Sequence, residues 1–211
     1  MTIGFIIIAA KTKDGGIGIH GKLPWKNSMD MKYFKNITTQ RINEKKINAV
    51  IMGRKTFQSL NFKPLPDRLN ICITSCNSNT AFPFFMGMDN SFYPLKSNKS
   101  MDFRISCLYH NKQTLHQIMF FNSLEDSLNY LYKSHIVENI FVIGGSMLYQ
   151  EAICHKDCNE ILINEIDCET ECDVFFPEIN NDKFVLTDSN CIGEGIINKR
   201  YIKRLTRSMT F

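Results

Sequence analysis

Apolar and polar positions alternate between two rhythms along this chain. Short unbroken apolar runs such as Val50-Ile51-Met52 and Ile140-Phe141-Val142-Ile143 lack the in–out alternation of a half-exposed strand, as expected of strands covered on both faces. Between them lie segments with helical spacing. The pattern predicts strands over Gly4 to Ala10, Ala49 to Met52, Asn70 to Thr74, around Phe120, Ile140 to Ile143, Glu160 to Ile166, Phe184 to Asn190 and Ile196 to Leu205. It predicts helices over Ser28 to Ile37, Lys55 to Leu60, Ser123 to Ser134 and Ser146 to Ile153. Ser123 is a usable N-cap, and Leu124, Leu128 and Leu131 form the stripe behind it. Strands alternating with helices point to an α/β fold. The expected architecture is one domain over residues 1–211, with a mostly parallel central sheet of eight strands. About four helices flank it, and Gly193-Glu194-Gly195 turns a C-terminal antiparallel hairpin.

Residues from Cys76 to about Gln117 break the rhythm. They are rich in Asn, Ser, Phe and Met and contain Pro83, Gly87 and Pro94. The stretch is too long for an ordinary connection, so it reads as a surface insertion over about 76–117, with a short strand near Phe103 to Tyr109.

Composition adds exclusions. With 211 residues, 44% hydrophobic and 22% charged, the chain is long enough for one core and is not of disordered composition. Its net charge of +4 is spread out, so it suits an anionic small ligand better than nucleic acid. The densest basic cluster, Lys199-Arg200, Lys203-Arg204 and Arg207, alternates with Tyr201, Ile202 and Leu205, which reads as a solvated strand edge. The apolar N-terminus is too short to span a bilayer and lacks a basic leader; the expectation is a cytoplasmic protein without membrane contact. Eight cysteines read as free thiols. Cys154-His155-x-x-Cys158 is the best metal candidate, but such spacing is unspecific, and no metal is expected.

Candidate chemistry centres on Asp30, five residues after the single tryptophan, Trp25. At helical spacing Asp30, Phe34 and Ile37 share one face, with Met31 beside them. A carboxylate on an apolar stripe is costly unless something pairs with it, and a flat, cationic or amino-rich heterocycle would serve. Gly16-Ile17-Gly18-Ile19-His20-Gly21 matches a dinucleotide-binding pattern, but Leu23-Pro24-Trp25 follows where a helix should start, and no acid lies near Gln40. These glycines read instead as a loop that can close over a ligand. Two other strand–glycine–helix junctions suit phosphates better. Ile143 leads into Gly144-Gly145-Ser146, and Met52 leads into Gly53-Arg54-Lys55-Thr56. Glycines at a helix N-terminus allow backbone N–H groups to approach an anion, and Arg54 can clamp a phosphate. Two such places suggest a cofactor with separated phosphates, such as NADPH. Arg68, fixed by Pro64 and Pro66, could receive a carboxylate at the far end of an elongated ligand.

In joint order these pieces resemble dihydrofolate reductase. They are Ile8-Ala9-Ala10, Gly18 to Trp25, Asp30 to Phe34, Met52 to Thr56, Lys63-Pro64-Leu65-Pro66-x-Arg68, Ile143-Gly144-Gly145-x-x-x-Tyr149 and Asp173-Val174-Phe175-Phe176-Pro177. The insertion and the Cys172 to Ile179 segment look most like enzymes of protozoan parasites, which often carry a fused thymidylate synthase; such a domain or partner is not present in this sequence. The resemblance implies NADPH-dependent reduction of dihydrofolate, with antifolates as inhibitors. Asp30 would be catalytic, binding the pterin and assisting protonation of its N5. Ile8, Ala9, Met31, Phe34, Leu60, Leu65, Arg68, Ile143 and Asn164 would line the substrate site, Ile8 and Ile143 through carbonyls and Arg68 through the glutamate carboxylate. Ala10, Ile17, Gly18, Gly53, Arg54, Lys55, Thr56, Ser59, Thr74, Ser75, Gly144, Gly145, Ser146, Met147, Leu148 and Tyr149 would surround the cofactor, with a cis peptide between Gly144 and Gly145. Three positions depart from the family: Asn164 stands for a usual Thr that bonds the catalytic carboxylate, Phe57 for Trp, and Val174 for Thr. A purely structural reading explains each residue singly but not their order. A related NADPH-dependent pyrimidine reductase would not need the Trp25–Asp30 element. A catalytically silent folate binder is suggested only by Asn164.

Overall fold

The computed structural model describes residues 4–74, 92–94, 103–111 and 114–204. In chain order the strands are β1 (Phe5–Thr12), β2 (Gly16–Gly18), β3 (Ile47–Gly53), β4 (Arg68–Ile73), β5 (Phe92–Pro94), β6 (Phe103–Asn111), β7 (Thr114–Phe121), β8 (Val137–Val142), β9 (Cys158–Ile166), β10 (Val174–Phe175), β11 (Phe184–Gly193) and β12 (Ile196–Lys203). The helices are α1 (Ser28–Thr39), α2 (Arg54–Ser59), α3 (Leu124–Tyr132) and α4 (Ser146–Cys154).

Eight strands form the expected sheet in the order β11-β12-β9-β1-β8-β3-β4-β7, and β6 and β5 extend it beyond β7. Strands β9, β1, β8, β3, β4 and β7 run parallel, whereas β12 and β11 return antiparallel as the expected hairpin. The predicted strand near Phe103 is present as β6, and it pairs antiparallel with β7. Part of the expected surface insertion therefore belongs to the sheet. Ser75, Cys76 and the rest of the Pro83 and Gly87 region lie outside the described residues. The basic cluster is a correction. β12 is not an edge strand, since it pairs with β9 on one side and β11 on the other. Its cations meet acids on neighbouring strands, Lys199 Nζ to Glu165 at 2.8 Å and Arg200 Nε to Glu160 at 2.6 Å. Alternating basic and apolar residues fit an interior strand as well as an edge when the outward charges pair across strands.

The period of two in each strand divides the core. Phe5 and Ile7 of β1, Ile51 of β3 and Ile161 of β9 point to one face, under Leu124, Leu128 and Leu131 of α3 and Leu148 and Ala152 of α4. Ile8, Val50, Phe141 and Leu162 point to the other, under Tyr33, Phe34 and Ile37 of α1 and Phe57 of α2. β2 pairs with β10 in a separate two-stranded sheet, so the glycine pattern opens no helix. No helix of the described residues is long and apolar enough to cross a membrane.

Candidate active site

α1 begins where Asn27 caps it, its side-chain oxygen accepting from the backbone N–H of Met29 at 2.9 Å and of Asp30 at 3.2 Å. That cap fixes the first turn and turns Asp30 inward, leaving it 5% exposed. Its carboxylate accepts from Asn164 Nδ2 at 2.8 Å and from Trp25 Nε1 at 3.4 Å. Both donors are neutral, and among the described residues no cation forms an ion pair with Asp30. A cleft of about 520 Å³ opens beside it, lined by Leu23, Trp25, Asn27, Asp30 and Met31 among others. Met31 is 52% exposed at the rim, while Phe34 and Leu60 pack against the core beneath.

The other end of α1 meets Arg68, which is only 6% exposed. Its Nε donates to the Pro66 carbonyl and one terminal nitrogen donates to Thr38 Oγ1, each at 2.8 Å. The guanidinium lies 5.8 Å from the centre of the Phe34 ring. Burial pulls its pKa below the ordinary arginine value, and among the described residues no carboxylate forms an ion pair with it. Asn70 braces the preceding turn, donating to the Leu65 carbonyl at 2.9 Å and accepting from its N–H at 2.8 Å.

The two glycine junctions come together because β3 and β8 are neighbours in the sheet. Gly53 N–H donates to the Gly144 carbonyl at 2.6 Å, and the Gly144–Gly145 peptide is cis, as the resemblance implies. Gly144 has φ +94°, and a Cβ built on it would lie 2.5 Å from the Tyr149 ring. Neither Gly53, ahead of α2, nor Gly145, ahead of α4, supplies a side-chain cap, which leaves both helix starts open to an anion. Arg54 and Lys55 are exposed at the first of these, and Thr56 Oγ1 would lie 3.4 Å from a Cβ on Gly145. Tyr149 is buried and donates to the Ile8 carbonyl at 2.9 Å; burial first, and the Asp30 charge second, push its phenol far above the ordinary range.

Several expected cofactor residues have other engagements. Ser59 Oγ donates to the Thr56 carbonyl at 2.7 Å and Ser146 Oγ to the Phe175 carbonyl at 2.6 Å. The Leu148 side chain sits in the core under α4, whereas Met147 is 85% exposed. Thr74 N–H continues the sheet by donating to the Phe121 carbonyl at 2.9 Å. Ile17 and Gly18 lie in β2, which Asp173 tethers by accepting from the His20 N–H at 2.9 Å. Ala10 pairs with Asn164 across β1 and β9. Sequence reasoning missed Thr38, which accepts from Arg68 at 2.8 Å, and Asn198, which donates to Asn164 Oδ1 at 2.9 Å. Thr38 follows Phe34 by one turn on the same face, a signal that was there to find, but the place of Asn198 depends on strand register.

The dihydrofolate reductase family model matches residues 4–84 and 104–202. The Aedes albopictus dihydrofolate reductase is 32% identical over 197 residues, spanning 91% of this chain and 89% of that protein. The bifunctional dihydrofolate reductase-thymidylate synthase of Daucus carota is 34% identical over 183 residues, 84% of this chain but 29% of the carrot protein. In fold, the chain is similar to a dihydrofolate reductase from Enterococcus faecalis complexed with NADP(H) and RAB-propyl, with TM-score 0.65, 23% identity and coverage of 95% and 96%. The buried acid, the paired glycine turns and these matches together show that the chain belongs to the dihydrofolate reductase family of oxidoreductases.

Proposed function

We propose that this chain reduces 7,8-dihydrofolate to 5,6,7,8-tetrahydrofolate with NADPH, as a single catalytic domain in the cytoplasm that supplies one-carbon metabolism. The observation that carries the reading is Asp30, a buried carboxylate that, among the described residues, neutral donors alone hold. Such a group is stabilised by a ligand that brings donors or positive charge to it. The amino and ring N–H groups of a pterin do this, and Asp30 then holds the proton relay toward N5. Ile8 and Ile143 offer carbonyls to the same ring edge. Phe34, Met31, Leu60 and Leu65 sandwich the aromatic middle of the substrate, and Arg68 receives its carboxylate tail.

NADPH supplies a hydride to the adjacent pterin carbon when bound. The residues fit it: uncapped helix starts beside Gly53 and Gly145 suit phosphates, and the Gly144 position has no room for a side chain. Gly144, Gly145 and Ser146 would hold the pyrophosphate. Arg54, Lys55, Thr56 and Thr74 would hold the 2′-phosphate, with Ala10, Ile17, Gly18 and Tyr149 at the nicotinamide. Alignment and exclusion of water are the protein's contribution.

The silent-binder reading rests on Asn164 in place of Thr. Asn164 donates to Asp30 at 2.8 Å, so the hydrogen bond a hydroxyl would make is kept, which favours the enzyme. Following NADPH absorbance with dihydrofolate decides the matter. Turnover that stops on adding an antifolate supports the reading. No turnover, with antifolate quenching of Trp25 fluorescence retained, identifies a silent binder, and neither activity nor binding refutes both.

A further inference from the structure

We infer that Asn198 is a positioning residue for Asp30, fixing the Asn164 carboxamide so that its nitrogen, and not its oxygen, faces the carboxylate. For its kinetic consequence this rests on the reductase reading above.

β12 pairs with β9 so that Asn198 stands directly opposite Asn164, and β1 lies on the other side with Ala10 beside Asn164. Cross-strand partners of this kind share a face of the sheet. Asn198 Nδ2 donates to Asn164 Oδ1 at 2.9 Å, and Asn164 Nδ2 donates to Asp30 Oδ1 at 2.8 Å. The two ends of a carboxamide are nearly identical in shape and opposite in function. An ionised carboxylate only accepts. A half-turn of Asn164 would set its oxygen against the Asp30 carboxylate and its NH₂ against that of Asn198, two repulsive pairs where two attractive ones stand now. Asn164 and Asp30 are both buried, 3% and 5% exposed, so water does little to soften the contact between them.

A threonine at position 164 would need no such lock, because one hydroxyl both donates and accepts and rotates freely. The need for a second residue arises from the asparagine itself. Burial pushes the Tyr33 phenol up, and Tyr33 lies near enough to Asn198 for the amide to favour its phenolate, an effect that opposes that push. Tyr33 sits one turn after Asp30 on α1, where residues three apart are neighbours. The hydrogen-bonded chain thus leaves α1 at Asp30 and runs through Asn164 on β9 to Asn198 on β12.

The test uses the full chain with Asn198→Leu and the near-isosteric Asn198→Asp, each made in the native background and with Asn164→Thr. Both lose the donor, and Asn198→Asp keeps the shape should Asn198→Leu fail to fold. In the native background each lowers kcat/KM for dihydrofolate about tenfold, while KM for NADPH stays unchanged. In the Asn164→Thr background the same substitutions change kcat/KM by less than about twofold, the coupling expected of groups acting through one another. In the free protein, the nitrogen-15 side-chain signals of Asn164 shift and broaden on Asn198→Asp. Equal losses in both backgrounds, a native-background loss under about twofold, or unmoved Asn164 signals would overturn the inference. Should the unsubstituted chain neither reduce dihydrofolate nor bind an antifolate, the reductase reading falls, and the Asn164 signals alone still decide whether Asn198 sets the amide.

Discussion

Replacing Asp30 with Asn separates chemistry from folding at this site. The carboxylate accepts from Asn164 at 2.8 Å and from Trp25 at 3.4 Å. An amide offers one oxygen, so one of these donors faces an NH₂ group. That loss is about 1.5–3 kcal/mol for a hydrogen bond to a charged group. Against it stands relief from burying a charge without a counter-ion, several kcal/mol in the same range or larger. The free protein therefore keeps its stability or gains some, and Tm stays level or rises by a few degrees at roughly 2–4 °C per kcal/mol for a chain of this size. Turnover moves the other way. Loss of the group that assists proton transfer lowers kcat by about 10²–10⁴, or about 3–5 kcal/mol in the barrier. The deficit is greatest near neutral pH and closes in acid, where solvent protonates the substrate unaided. Steady-state rates of NADPH oxidation across the pH range, with a melt of each sample, read both effects. Equal deficits at neutral and acidic pH would show that Asp30 only binds, and a lost unfolding transition would show that it is structural.

Arg68→Leu raises KM for dihydrofolate roughly 10- to 150-fold, the equivalent of about 1.5–3 kcal/mol, with kcat little changed; a substrate analogue lacking the terminal carboxylates shows no such difference in steady-state assays. Gly144→Ala meets the Tyr149 ring at 2.5 Å and a φ of +94°, and destabilises the fold by about 3 kcal/mol or more, seen as a Tm lower by roughly 6–12 °C. Glu138 accepts from the Ile42 and Asn43 N–H groups at 2.6 and 2.8 Å, bonds that hold its pKa below the usual carboxylate value. Its contribution is present above the unfolded value of about 4.3 and is lost as pH falls through the lower folded value, so Glu138→Gln lowers Tm at neutral pH and the difference vanishes in acid melts.

The elements that sequence revealed are those specified locally. β1, β3, β8 and β9 announce themselves as unbroken apolar runs because both faces are covered. α1 and α3 show their stripes, and Asn27 and Ser123 cap them. The Gly144–Gly145 turn was legible because a strand, two glycines and a helix leave the chain few choices. What stayed hidden depends on partners far away in sequence. β2 and β10 contain three and two residues, too few for any periodicity, and exist because Gly16 and Gly18 find Phe175 and Val174. β12 looked like an edge because its charges alternate outward, and only the register with β9 reveals the acids they meet. The same register puts Asn198 opposite Asn164, a relation that spacing along the chain does not encode.

Asp30 and Arg68 pose a question that hydrogen bonds alone do not answer. A chain that buries one anion and one cation on the same face lowers its free energy by pairing them, and here they stay apart. Asp30 lies in the first turn of α1, while Arg68 bonds Thr38 in the last. Eight residues at 1.5 Å each separate Asp30 from Thr38, the Arg68 partner, by about 12 Å along the helix. Phe34 and Ile37 fill the interval with apolar surface. The helix therefore acts as a ruler that forbids the internal ion pair and keeps both charges available. A molecule satisfies them together only if it carries donors at one end, a carboxylate at the other and a flat apolar middle about 12 Å long. Under the function proposed above, an extended pterin–benzoyl–glutamate meets that demand, and its binding at the two charges held apart would offset the stability given up there.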